Sequence, residues 1–165
     1  MNSIYRIKLP MIACPVPYFD TSVPAGFPSP AADHVQKSLD LNEFLVEDPV
    51  ATFFVKVSGD SMQDTGILDG TILVVDSGRQ AVHGDIVVAL VDSQYTVKRL
   101  IKTRDGFELH AENLAKAYPV IKARMELQIF GVVVAAINRF SQPAKGPQKE
   151  GRRSSSLARK REAGE

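Results

Sequence analysis

From Ala51 onward the chain alternates short apolar runs with polar turns. "TFFVKV" (52–57), "TILVVD" (71–76), "DIVVALV" (85–91), "QYTVKRLI" (94–101) and "FELHA" (107–111) are rich in β-branched or aromatic residues and bounded by Gly, Asp or Ser. That pattern predicts strands. "VDSQYTV" predicts a tight hairpin around Asp92 and Ser93. "LQIFGVVVAAINRF" (127–140) predicts a long final strand bent at Gly131. Upstream, Asp40 precedes Leu41-Asn42-Glu43, an acidic N-cap with a carboxylate three residues on. A short helix from Leu41 to Glu47 is expected there, ended by Pro49. Five or six strands and one helix predict a mostly β fold, a small antiparallel β domain.

The flanks read differently. Residues 1–25 are rich in Pro and polar groups and predict a flexible N-terminal arm with no core element. From Ser141 apolar residues nearly vanish, which predicts a disordered basic tail over 141–165. The folded domain is therefore placed at 26–140. No internal repeat is visible.

Composition narrows the function classes. The 165 residues carry a net charge of +1, but residues 142–165 hold seven Lys/Arg against three Asp/Glu. The body is left slightly acidic, so no direct sequence-specific DNA binding is expected of it. Trp is absent and aromatics are few, which argues against a base-stacking platform. Cys14 is the only cysteine, so an internal disulfide is excluded and a cytoplasmic setting is expected. The longest apolar stretch, Ile129 to Ile137, is too short to cross a bilayer, and the N-terminus does not read as a signal peptide.

Candidate chemistry is sparse. His34, His83 and His110 are far apart, and His110-Ala111-Glu112 lacks the cysteines a zinc deaminase would need. No metal site and no cofactor is expected, and no phosphate-cradling glycine motif is present. Asp60, Asp64, Asp69, Asp76 and Asp85 each sit near a Gly or Ser, where turn chemistry explains them. Cys14 lies in the arm with nothing to hold a base beside it. Ser61, in "VSGDSMQDTGILDG" (57–70), remains as a candidate nucleophile.

A serine needs a group to take its proton. With few histidines, a neutral lysine is the alternative, in the serine–lysine variant of triad logic. Lys98 is the best placed. The strand period puts Thr96, Lys98 and Leu100 on one face, and Arg99 adds positive charge nearby. Lys56 in "FFVKV" is its competitor. On pattern alone, Ser61 also reads as a turn serine and Lys98 as an ordinary edge-strand lysine.

The motifs also carry a resemblance. "SGDSM" (58–62), followed 37 residues on by Lys98 in "TVKRL", resembles the serine–lysine dyad of the LexA/UmuD self-cleaving family. "AGFPSPAAD" (25–33) resembles the family's cleavage segment, and "ILVVDS", "HGDIVVALVD" and "FGVVV" extend the likeness over roughly residues 20–138. The resemblance implies a twisted, mostly β catalytic domain. It implies that Ser61 attacks the Ala25–Gly26 bond, with Lys98 as general base and the backbone N–H groups of Ser61 and Met62 as oxyanion hole. It further implies an SOS-response role. A RecA filament on single-stranded DNA would promote cleavage, and the processed homodimer would join a UmuC-type polymerase subunit for error-prone translesion synthesis.

Three rivals share parts of this reading. A LexA-like repressor would need a helix-turn-helix domain, and only 25 residues precede Gly26. Type I signal peptidase also uses serine and lysine but needs a membrane anchor. A non-catalytic polymerase-binding subunit with a vestigial dyad remains open on residue types alone.

Overall fold

The computed structural model describes residues 4–6, 11–19, 25, 36–122 and 127–140. Along the chain run β1 (Ile4–Arg6), β2 (Pro15–Phe19), β3 (Gln36–Asp40), α1 (Leu41–Leu45), β4 (Thr52–Lys56), β5 (Ile72–Asp76), β6 (Ile86–Val91), β7 (Gln94–Thr103), β8 (Gly106–His110), β9 (Ile121–Lys122) and β10 (Gln128–Ile137). Eight strands form one antiparallel sheet in the order β1-β4-β5-β10-β6-β7-β8-β9. Among the described residues, the two remaining strands, β2 and β3, pair with each other in a separate two-stranded sheet. The mostly β, antiparallel expectation holds.

Local chemistry explains most boundaries. Asp92 and Ser93 both take left-handed backbone angles, φ 47° and 63°, and Val91 pairs with Gln94 across them. This is the two-residue hairpin turn whose twist matches the flanking strands. The Asp40 carboxylate accepts the Asn42 N–H at 2.8 Å, capping α1 as expected. The helix ends two residues earlier than the sequence suggests. Val46 leaves the helical region (φ −127°, ψ 98°), and Pro49 lies well past the end. At β10 the register against β6 shifts between Ile129 and Gly131. A Cβ on Gly131 would sit 2.7 Å from Val75 Cγ1 and 2.8 Å from the Asp76 carbonyl oxygen. Glycine is therefore required for β10 to lie this close to β5.

The core has two parts. Phe53, Val55, Met62, Ile67, Leu73, Val75 and Val88 form one cluster, and Val87, Ala89, Leu100, Leu109 and Val132 form the other. Val88 and Val87 are neighbours in β6, so that strand is apolar on both faces. Each fully buried Val or Leu contributes about 1.5–3 kcal/mol relative to exposure. Met62 and Ile67 bury into the first cluster, 2% exposed each, and anchor the middle of the turn between β4 and β5 at two points. That turn carries Ser61.

The N-terminal region departs from the sequence reading. β1 pairs with β4 along the edge of the large sheet, and β2 pairs with β3. Pro15 and Pro17 disguise β2 in the sequence, but prolines are tolerated in a strand free on one side. Residues 1–3, 7–10 and 20–24 of the arm, Gly26 and the tail 141–165 lie outside the described residues, while Ala25 is an exposed bend.

Candidate active site

Ser61 and Lys98 come together although 37 residues separate them. Lys98 Nζ is hydrogen bonded to Ser61 Oγ at 2.7 Å and donates to the Val97 carbonyl at 3.0 Å. The mid-strand position predicted for Lys98 brings this about. Lys98 sits opposite Val87 of β6, and Leu100 on the same face is fully buried. Only 7% of Lys98 is exposed. Burial disfavours the ammonium form and pushes the amine below its ordinary value of 10.5. A neutral amine beside a hydroxyl can accept its proton.

Arg99 does not act on Lys98 as the sequence suggests. On the opposite face of β7, its guanidinium pairs with Glu112 at 2.5 and 3.0 Å and donates to the Gly84 carbonyl at 2.7 Å. Glu112 answers its charge, and burial is what moves Lys98. Lys56, the competitor, is exposed on β4.

Hydrogen bonds shape the turn around Ser61. Gly59 has φ 102°, a left-handed angle that suits glycine, and its N–H donates to Asp69 Oδ1 at 2.9 Å. Gln63 N–H returns to the Asp60 carbonyl at 3.2 Å. Asp64, Asp76 and Asp85 likewise accept backbone N–H groups, of Leu114, Gly78 and Val82. Turn chemistry accounts for Asp69, Asp76 and Asp85, whereas Asp64 reaches a loop 50 residues further along the chain. Among the described residues, no group of three His, Cys, Asp or Glu is placed to hold a metal ion.

A cleft opens beside Ser61, walled by Val55 and Val57 on one side and Tyr95 and Val97 on the other. Gly59 and Met62 also line it. Among the described residues, the N–H groups of Ser61 and Met62 have no protein acceptor. Cys14 is exposed, with its N–H bonded to Asp40, 2.8 Å away. His110 ends β8 and contacts Glu108 at 2.9 Å, His83 accepts the Lys102 N–H at 3.0 Å, and His34 lies outside the described residues.

Sequence reasoning missed the segment after β8. Glu112 N–H donates to the Ser61 carbonyl at 2.8 Å, and Asn113 Nδ2 donates to the Asp60 carbonyl at 2.8 Å. The Tyr118 hydroxyl donates to the Asp60 carboxylate. No motif marks these residues; the one local signal is an aromatic beside Pro119 in a loop of mostly small residues.

A buried lysine against a turn serine, on a small antiparallel sheet, defines a class that comparison makes definite. Residues 17–134 match the Peptidase S24-like family, and the chain belongs to that family of self-cleaving serine peptidases. Protein SamA of Salmonella typhimurium is 46% identical over 124 residues, covering 74% of this chain and 85% of that protein. Protein MucA of Escherichia coli is 48% identical over 122 residues, covering 74% and 84%. The LexA repressor of Caldicellulosiruptor saccharolyticus is 37% identical over 134 residues, covering 81% of this chain and 60% of the repressor. Within the family the chain falls in the UmuD-like branch, the SOS-mutagenesis proteins.

Proposed function

We propose that this chain cuts itself between Ala25 and Gly26, using Ser61 as nucleophile and Lys98 as general base. The observation that carries the reading is the 2.7 Å contact between Ser61 Oγ and a Lys98 amine that is 7% exposed. Neutral Lys98 accepts the hydroxyl proton as Oγ bonds to the Ala25 carbonyl carbon. The resulting oxyanion is held by the N–H groups of Ser61 and Met62. Lys98 then returns the proton to the Gly26 nitrogen as the Ala25–Gly26 bond breaks. Water, deprotonated by the same amine, hydrolyses the Ala25 ester and frees Ser61.

Small residues at the bond suit the narrow cleft, since glycine brings no Cβ to it. Pro24 and Pro28 keep the segment extended. Because the substrate belongs to the same protein, its effective concentration is high. Regulation then falls to how often the segment docks. A RecA filament on single-stranded DNA acts by favouring the docked state and supplies no catalytic group. The processed form dimerises in the cytoplasm and joins a UmuC-type polymerase subunit for translesion synthesis.

Intact-mass spectrometry of the purified chain, incubated alone and with the filament, tests this. The expected product begins at Gly26 and is missing in Ser61→Ala and Lys98→Ala. Cleavage at another bond, or cleavage that survives Ser61→Ala, would refute the assignment.

A further inference from the structure

The loop after β8 and the Ser61 turn behave as one unit. Besides the Glu112 and Asn113 bonds, Asp64 N–H donates to the Glu112 carbonyl at 3.0 Å, and Leu114 N–H donates to Asp64 Oδ2 at 2.7 Å. Some 50 residues of chain separate these partners. Tyr118 closes the arrangement. It is half-buried, its hydroxyl is bound by Asp60, and its ring centre lies 5.9 Å from Lys98 Nζ. Asp60 is thus the residue before the nucleophile and also the anchor of the ring that stands over the base.

The ring can act on Lys98 in two opposing ways. An aromatic face attracts an ammonium, which would favour the charged form. Covering the amine excludes water, which favours the neutral form. At 5.9 Å the ring is near the outer limit of about 6 Å for the attraction, so exclusion of water prevails. The surrounding charges do not replace this effect. Lys116 lies 3.5 Å from Asp60 Oδ1 and 5.2 Å from the Tyr118 ring centre. Arg99 is paired with Glu112 and feels Asp85, while Lys56 on β4 is exposed. From β6, the cross-strand neighbour of Lys98 is the apolar Val87.

We propose that Tyr118, tethered by Asp60, is a positioning residue that covers Lys98 and keeps its amine dry. The proposal rests on the reading of Ser61 and Lys98 as the catalytic pair. It adds what controls the base: a ring locked to the nucleophile's own turn, so that water exclusion and serine placement depend on one anchor.

The test uses the full chain labelled with ¹³C-lysine, with the Lys98 signal assigned by its loss in Lys98→Arg. The pH at which Lys98 titrates and the pH dependence of self-cleavage are both followed. Tyr118→Ala should raise both midpoints by about one unit, slowing cleavage about tenfold below the midpoint while leaving the high-pH plateau in place. Tyr118→Phe keeps the ring without the tether and should fall in between. Leu114→Ala, at a residue 99% exposed on the same loop, should change neither. An unmoved Lys98 titration in folded Tyr118→Ala would overturn the proposal. If that variant does not fold, Tyr118→Phe decides: an upward shift supports the cover, and an identical titration overturns it. A chain that never cleaves, yet whose Lys98 titration moves with Tyr118, would count against the peptidase reading alone.

Discussion

At the scale of single residues, Lys98 trades stability for chemistry. A lysine with 7% exposure resists protonation in the folded state, whereas the unfolded chain titrates near 10.5. Between its lowered folded value and 10.5, the unfolded state binds more protons, so folding should strengthen as pH rises through that window. Lys98→Met keeps the volume and removes the charge. Urea unfolding should show the variant at least as stable as the wild type at neutral pH, and without the alkaline rise. Its self-cleavage should be absent. A variant markedly less stable at neutral pH would mean that the ammonium is held favourably, contrary to the drying described. The Ser61–Lys98 pairing itself was legible in the sequence because two motifs carry it. Tyr118 and Glu112 were not, because their roles come from contacts across some 50 residues of chain that no local pattern encodes.

At the scale of elements, the strands that show in the sequence are those with one or both faces in the core. β4, β5, β6, β7, β8 and β10 all carry β-branched or aromatic runs. β2 and β3 pair away from the large sheet, and β9 has two residues, so neither burial nor length marks them. The bend at Gly131 was legible because a lone glycine interrupts a Val-rich run. Its physical cause, the 2.7 Å approach to Val75, was not. Gly131→Ala should cost about 1–3 kcal/mol, since a methyl group there must displace β5 backbone as well as a side chain. Chemical denaturation measures that cost; an unchanged midpoint would mean that β10 slides without penalty.

For the whole molecule, the proposed cut falls between two strand pairings. β1 lies upstream of it and borders β4, while β2 and β3 lie on either side of it. Removing residues 1–25 takes β1 from the edge of the sheet that carries Ser61. Hydrogen exchange should therefore quicken in β4 and in β3 of a 26–165 chain, with β5 to β7 unchanged, because β4 loses β1 and β3 loses β2. Uniform protection in both forms would mean that β1 adds nothing to that edge. The central claim is that the fold dries one lysine so that it takes the Ser61 proton. The rate of self-cleavage measured from pH 6 to about 11, in wild type and Lys98→Ala, tests it most directly. The rate should climb with a single ionisation and level off below 10.5, and the variant should show no such climb. A rate that ignores pH, or a wild-type profile that Lys98→Ala reproduces, would contradict the claim.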